Sequence, residues 1–136
     1  MVYLIDTCVF IDHLTGRLSP DASGWLVQVA ASGEAATSAV VYHELLFGAR
    51  TPRARTTVKK LLGAWDVLPV DRCVAERAAA IRREQASKGM TIGMADSFIA
   101  ATALLHGLKV VTGNVRDFPT VTALRPEDLL PGGASG

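Results

Sequence analysis

Cysteine is scarce in this 136-residue chain: Cys8 and Cys73 are the only two. Two cysteines build no disulfide framework, so a reduced, cytoplasmic setting is expected. No uninterrupted apolar run reaches about 18 residues, and a membrane span is therefore not expected. The N-terminus has neither a basic stretch nor a small-residue cleavage site, and a secretory leader is not expected either. A G-x-G-x-x-G turn is missing after the first apolar segment, which removes a dinucleotide-binding reading. One-sided charge is also absent: 14 Lys and Arg against 13 Asp and Glu give a net charge of +1. The molecule as a whole is not a polycation that gathers nucleic acid through its bulk field.

Apolar residues are abundant, at 49% of the chain. That fraction favours strands covered on both faces, which read as apolar runs rather than alternations. Residues 2–5 fit a short buried strand. A helix is expected over 8–14, a second over 22–31 and a strand over 34–37. Ser38 suits the N-cap of a helix reaching residue 48. Thr51–Pro52 opens a helix to about residue 63, because proline is tolerated at a helix start. Residues 67–70 read as a strand, with Pro69 pointing to a sheet edge. Asp71 caps a long helix to about 87, which Gly89 ends. Residues 92–106 form a helix that is apolar nearly all round, the pattern of a buried helix. Gly107 stops it, and strands follow over 109–112 and 121–124.

Strands alternating with helices predict an α/β fold, a three-layer α/β/α sandwich around a mainly parallel sheet of four or five strands. Residues 1–130 read as a single domain, and the closing PGGASG, 131–136, as a disordered tail. In open sheets of this kind ligands bind beyond the carboxyl ends of the strands.

Four acids fall where burial is the default. Asp6 ends the first strand. Glu44 stands in the apolar helix AVVYHELLFGA, on one face with Val40 and Phe47. Asp96 stands near the front of the apolar helix, and Asp117 follows the strand over 109–112. Each has a plainer role open to it: a cap for Asp6 and Asp96, an ion pair for Glu44, a turn for Asp117. Gathered at one sheet edge they need protons or a cation, because two carboxylates about 5 Å apart repel by roughly 3 kcal/mol at an effective dielectric near 20. Oxygen ligands without a His or Cys cluster point to a hard divalent ion, Mg²⁺ or Mn²⁺.

The stretches LIDTCVFID, TSAVVYHELLFGA, IGMADSFIAATALLHGLKVVTGNVRDF and LRPEDL span nearly the whole chain. Together they resemble a PIN-domain protein of the VapC type, the toxin half of a bacterial toxin–antitoxin pair. The resemblance implies a metal-dependent ribonuclease whose acidic centre binds Mg²⁺ or Mn²⁺. By position Asp6, Glu44, Asp96 and Asp117 match the family's acidic quartet, and Thr7, Ser38, Thr112 and Asn114 its polar supporting positions. Cys8 departs from the Ser or Asn more usual there, a change not expected to touch the chemistry. The resemblance also implies a homodimer and a cognate antitoxin that covers or enters the acidic pocket.

The expected reaction is hydrolysis of a phosphodiester in single-stranded or looped RNA. Asp6 and Asp96 are the candidate direct metal ligands. Glu44 and Asp117 complete the site directly, through waters, or as a base. Thr112 and Asn114 are candidates for supporting hydrogen bonds. Two basic stretches, Arg50 to Lys60 and Arg72 to Lys88, read as solvated helix faces or as a rim facing RNA. The competing readings are a catalytically inactive binding module and, with less support, an aspartyl-phosphate phosphotransferase on Asp6. The second lacks an acid at position 8. Cys8 as a nucleophile lacks a histidine placed to serve it.

Overall fold

A computed structural model of the chain describes residues 1–131. The expected tail therefore lies outside the described residues except for Pro131. The strands are β1 (Tyr3–Ile5), β2 (Ala35–Ser38), β3 (Asp66–Leu68), β4 (Lys109–Val111) and β5 (Ala123–Leu124). The helices are α1 (Thr7–Leu14), α2 (Pro20–Ala31), α3 (Ala39–Gly48), α4 (Pro52–Leu62), α5 (Arg72–Ser87) and α6 (Met94–His106). The five strands form one parallel sheet in the order β3-β2-β1-β4-β5.

The sequence explains why β1 lies at the centre. Successive side chains of a strand point to opposite faces, yet Leu4 and Ile5 are both fully buried, as are Val110 and Val111 of β4. Both faces of the sheet are thus covered by helices, and the α/β sandwich expected from the apolar runs is present. Register pairs Leu4 with Ala36 on one side and Val110 on the other. A Leu4→Ala change in this core would cost about 3 kcal/mol. Because β1 lies between β2 and β4, the chain leaves it toward one side of the sheet and later returns on the other. The carboxyl ends of β1, β2 and β4 therefore border one crevice, the place where open sheets bind ligands.

Several boundaries differ from the sequence expectation. β3 ends at Leu68, ahead of Pro69, and lies at the edge of the sheet. α2 begins at Pro20, capped by the Ser19 hydroxyl, rather than at residue 22. α6 begins at Met94, because Ile92 and Gly93 remain outside it and Gly93 has no side chain to cap with. Asp96 accordingly lies in the first turn of α6 and does not cap it. The helix is buried through its middle, at Ser97 and from Ile99 to Ala103, but Phe98 is half-buried and Met94, Leu104 and Leu105 are exposed. Its apolar periodicity overstated how much of it the core takes in. Gly107 ends it with a positive φ of 66°, where a side chain would be strained. The stripe shared by Val40, Glu44 and Phe47 is likewise not core: Phe47 is 84% exposed, and α3 turns Val41 and Leu45 inward instead.

Candidate active site

Asp6 is held at the carboxyl end of β1 by the sheet itself. Its backbone N–H donates to the carbonyl of Val111 on β4 at 2.9 Å. Only 6% of the residue is exposed. One carboxylate oxygen accepts the N–H of Thr7 at 2.8 Å, so Asp6 does cap α1. The other accepts the Thr112 hydroxyl at 2.8 Å and faces the Cys8 thiol at 3.5 Å. Burial pushes the Asp6 carboxyl above its ordinary value, hydrogen bonds from Thr112, Thr7 and Cys8 oppose that rise, and nearby Glu44 adds to it.

The other acids surround this one. Glu44 is half-buried on α3, where its Oε1 accepts the Thr7 hydroxyl at 2.6 Å. Thr7 therefore links the first helix to the acid of the third. Asp96, in the first turn of α6, is pushed up to about 6. Desolvation is the main cause, followed by the charges of Asp6, Asp117 and Glu44. Its carboxyl feels all three of the other acids, which places the four in one field. Asp117 ends the short 3₁₀ turn Val115–Asp117 after β4 and is exposed. It walls a cleft of about 160 Å³ together with Asp96, Arg116 and Gln85.

The polar supporting residues divide by role. The Thr112 hydroxyl donates to Asp6 and accepts the backbone N–H of Asn114 at 3.0 Å, so one side chain fixes both the acid and the loop leading to Asp117. Ser38 is buried and caps α3, accepting the N–H of Val41 at 3.2 Å. It positions the helix that carries Glu44 without touching an acid. Asn114 contributes its backbone, and among the described residues its exposed side chain bonds to no acid. Cys8 takes a larger part than its residue type suggested. Its sulfur accepts the N–H of Gly113 at 3.2 Å and lies 3.5 Å from the Thr112 hydroxyl, besides facing Asp6. Burial, then the charge of Asp6, raise its thiol above the ordinary value, so the thiol stays protonated and serves as a hydrogen-bonding tie rather than a nucleophile. A cysteine two residues after an acid at a strand end was the signal, and the first turn of α1 folds it back onto β4.

Among the described residues no Lys or Arg forms an ion pair with these acids. Among the described residues the one ion pair is Lys88–Glu84, on the exposed side of α5. Nor do three Asp, Glu, His or Cys side chains converge tightly enough among the described residues to cage an ion unaided. A hard ion such as Mg²⁺ does not need such a cage: one or two carboxylates hold it, and waters and substrate phosphates complete its shell. A set of oxygen donors without an ion-pair partner, two of them, Asp6 and Asp96, raised above the ordinary carboxylate value, fits that ion.

The comparisons agree with the geometry. The model of the family described as PIN domain matches residues 3–124. Ribonuclease VapC10 of Mycobacterium tuberculosis is 37% identical over 129 residues, covering 95% of each chain. The chain belongs to the VapC family of PIN-domain ribonucleases. A second VapC relative, the tRNA(fMet)-specific endonuclease VapC of Shigella flexneri, is 35% identical over 100 residues, 71% of this chain and 76% of that one. Among solved structures, DNA-bound VapBC from Salmonella typhimurium matches with a TM-score of 0.79 at 27% identity, over 93% of this chain and 98% of that one. The expected VapC membership holds, and so does the expected α/β fold with a parallel sheet of four or five strands, of which there are five. Among the described residues no helix is long and apolar enough to cross a membrane.

Two residues at this site escaped the sequence reading. Nothing in the sequence singles out Arg116, which stands between Asn114 and Asp117. Gln85 was absorbed into a basic helix, although its spacing from Val74, Ala78 and Ile81 places it on the buried face of α5.

Proposed function

We propose that this chain is a divalent-metal-dependent endoribonuclease, active on single-stranded or looped RNA in the cytoplasm and restrained by a cognate antitoxin. The observation that carries the reading is the acidic field at the end of β1: Asp96 is raised to about 6 by burial and by three neighbouring acids, and among the described residues none of the four is in an ion pair. Asp6 and Asp96 hold the ion, with Glu44 and Asp117 reaching it directly or through water. A bound Mg²⁺ or Mn²⁺ supplies a water of lowered pKa and positive charge beside the phosphate oxygens. Thr112 keeps the Asp6 carboxylate turned toward the crevice. Thr7 does the same for Glu44, which on this reading would take a proton from the attacking water. Asn114 and Thr112 hold the loop that presents Asp117.

Partners are supported by the likeness to a chain solved within a VapBC assembly and by apolar surface left in water. Phe47 is 84% and Met94 60% exposed, and both line a groove of about 590 Å³ with Val70, Phe98 and Glu44. Isolated exposed apolar side chains are ordinary, but a continuous patch of this kind marks contact with another chain. A homodimer is the expected state in the absence of antitoxin, checked by light scattering on the purified protein. Incubation of that protein with RNA, with and without EDTA, tests the activity. Cleavage should require Mg²⁺ or Mn²⁺ and fall to background in Asp96→Ala shown to be folded. Wild-type rates from that variant would defeat the assignment.

A further inference from the structure

The core-facing side of α5 runs Val74, Ala78, Ile81 and then Gln85, all buried. Gln85 is only 4% exposed. Burying an amide without a partner costs about 1–3 kcal/mol, which a leucine at this position would avoid. The backbone carbonyl of Gln85 is used, since it accepts the N–H groups of Lys88 and Met90 and closes the turn after the helix. Its side chain is not: no group of the described residues hydrogen-bonds the amide. The amide atoms are also not among those sealed from solvent, so this buried side chain opens onto the cavities it lines.

There are two such cavities, and they share Gln85 and Pro119 as a common wall. The first, of about 160 Å³, reaches Asp96 and Asp117 and includes Thr91 and Arg116. The second, of about 290 Å³, continues away from the acids between Arg77, Lys88 and Thr120. The Thr120 hydroxyl is the one sealed side-chain polar atom without a partner among the described residues. The two cavities meet at Gln85 and Pro119 in a trough that starts beside Asp96, Asp117 and Arg116 and leads toward Arg77 and Lys88, with Glu84 between them in sequence. Lys88 is paired with Glu84, but both side chains are more than half exposed, so that contact is weak.

We propose that this trough seats the RNA strand on one side of the bond that is cut, and that Gln85 reads the base of the adjoining nucleotide. The inference rests on the ribonuclease reading above and assigns it a specificity residue. An amide offers a donor and an acceptor in one plane, the pattern that matches a base edge and that a phosphate does not use. The first cavity holds about five waters at roughly 30 Å³ each, the scale of one planar base rather than two. Recognition there is by hydrogen bonds to the edge, because no aromatic ring lines either cavity for stacking. Arg116, Arg77 and Lys88 then take the phosphates that follow.

The test uses short RNAs that carry each of the four bases on each side of the cleaved bond. Wild type should prefer one base on one side by about tenfold, and Gln85→Leu should flatten that preference to within about twofold while leaving the other side unchanged. Arg116→Ala should raise KM for every RNA and leave the base preference intact, which separates phosphate contact from base reading. A second arm measures binding of the same uncleaved RNAs to Asp6→Asn protein by fluorescence anisotropy, with and without Gln85→Leu. Base-selective binding lost in Gln85→Leu supports the subsite even if no RNA is hydrolysed, an outcome that would defeat the ribonuclease reading alone. Metal-dependent cleavage with the same base preference in wild type and Gln85→Leu, or with none in wild type, overturns the subsite and leaves the ribonuclease reading standing.

Discussion

Asp6 and Asp96 face the same crevice, yet the molecule treats them in opposite ways. Asp6, at the end of a central strand, is saturated: Thr7, Thr112 and Cys8 all reach its carboxylate. Asp96 opens a helix, and no side chain or backbone group of the described residues hydrogen-bonds its carboxyl, which burial and then three neighbouring acids push upward. Burial raises both carboxyls, but hydrogen bonds oppose the rise at Asp6 and none does at Asp96. The contrast locates the deficit of positive charge at the start of α6, where a cation would relieve most.

The largest effect that would sharpen the contrast is metal-induced stabilisation. An ion at about a hundredfold its dissociation constant stabilises the folded chain by about 2.7 kcal/mol. The melting temperature of wild type should rise accordingly with Mn²⁺, and that rise should vanish in Asp96→Asn. A stability difference of opposite sign comes next. Asp6→Ala should cost about 1–2 kcal/mol by uncapping α1 and orphaning the Thr112 hydroxyl. Asp96→Asn should instead raise the melting temperature of the metal-free protein at neutral pH by removing repulsion. Denaturant melts of the two variants decide the sign.

A pH titration gives a smaller effect. The Asp96 carboxyl, ordinarily near 3.8, is held at about 6 in the folded chain, so the folded state binds this proton more tightly than the unfolded state does. The stability it contributes is full below about pH 4 and lost as pH rises through 6. Metal-free wild type should therefore lose stability across that window relative to Asp96→Asn, as followed by melts at a series of pH values. The smallest change is Cys8→Ser. A hydroxyl can keep the ties to Asp6 and Gly113 with a shorter reach, so cleavage should fall by less than tenfold, whereas Cys8→Ala, with no tie, should fall by about 10- to 100-fold.

Much of this contrast could be read in the sequence, because burial and strand ends leave strong marks. The apolar run up to Asp6, the serine ahead of α3 and the glycine after α6 each carry a local physical cause, and the elements formed where those causes placed them. Asp96 was legible as an acid in an apolar helix, but not as an uncapped one, since that depended on α6 starting at Met94. Phe47 was misplaced for a related reason. Periodicity shows that residues share a face, not whether anything covers that face. The ties through Cys8 and the opening beside Gln85 depend on β4 and the loop after it folding back over α1 and α5, segments that lie far from one another along the chain.

The most direct measurement is calorimetric titration of Mn²⁺ into the metal-free wild type and into Asp96→Asn under identical conditions. Saturable binding in wild type that is lost in the variant, with both proteins folded, is the predicted result. Equal affinity in the two would contradict the claim that the charge deficit at the head of α6 is the metal site.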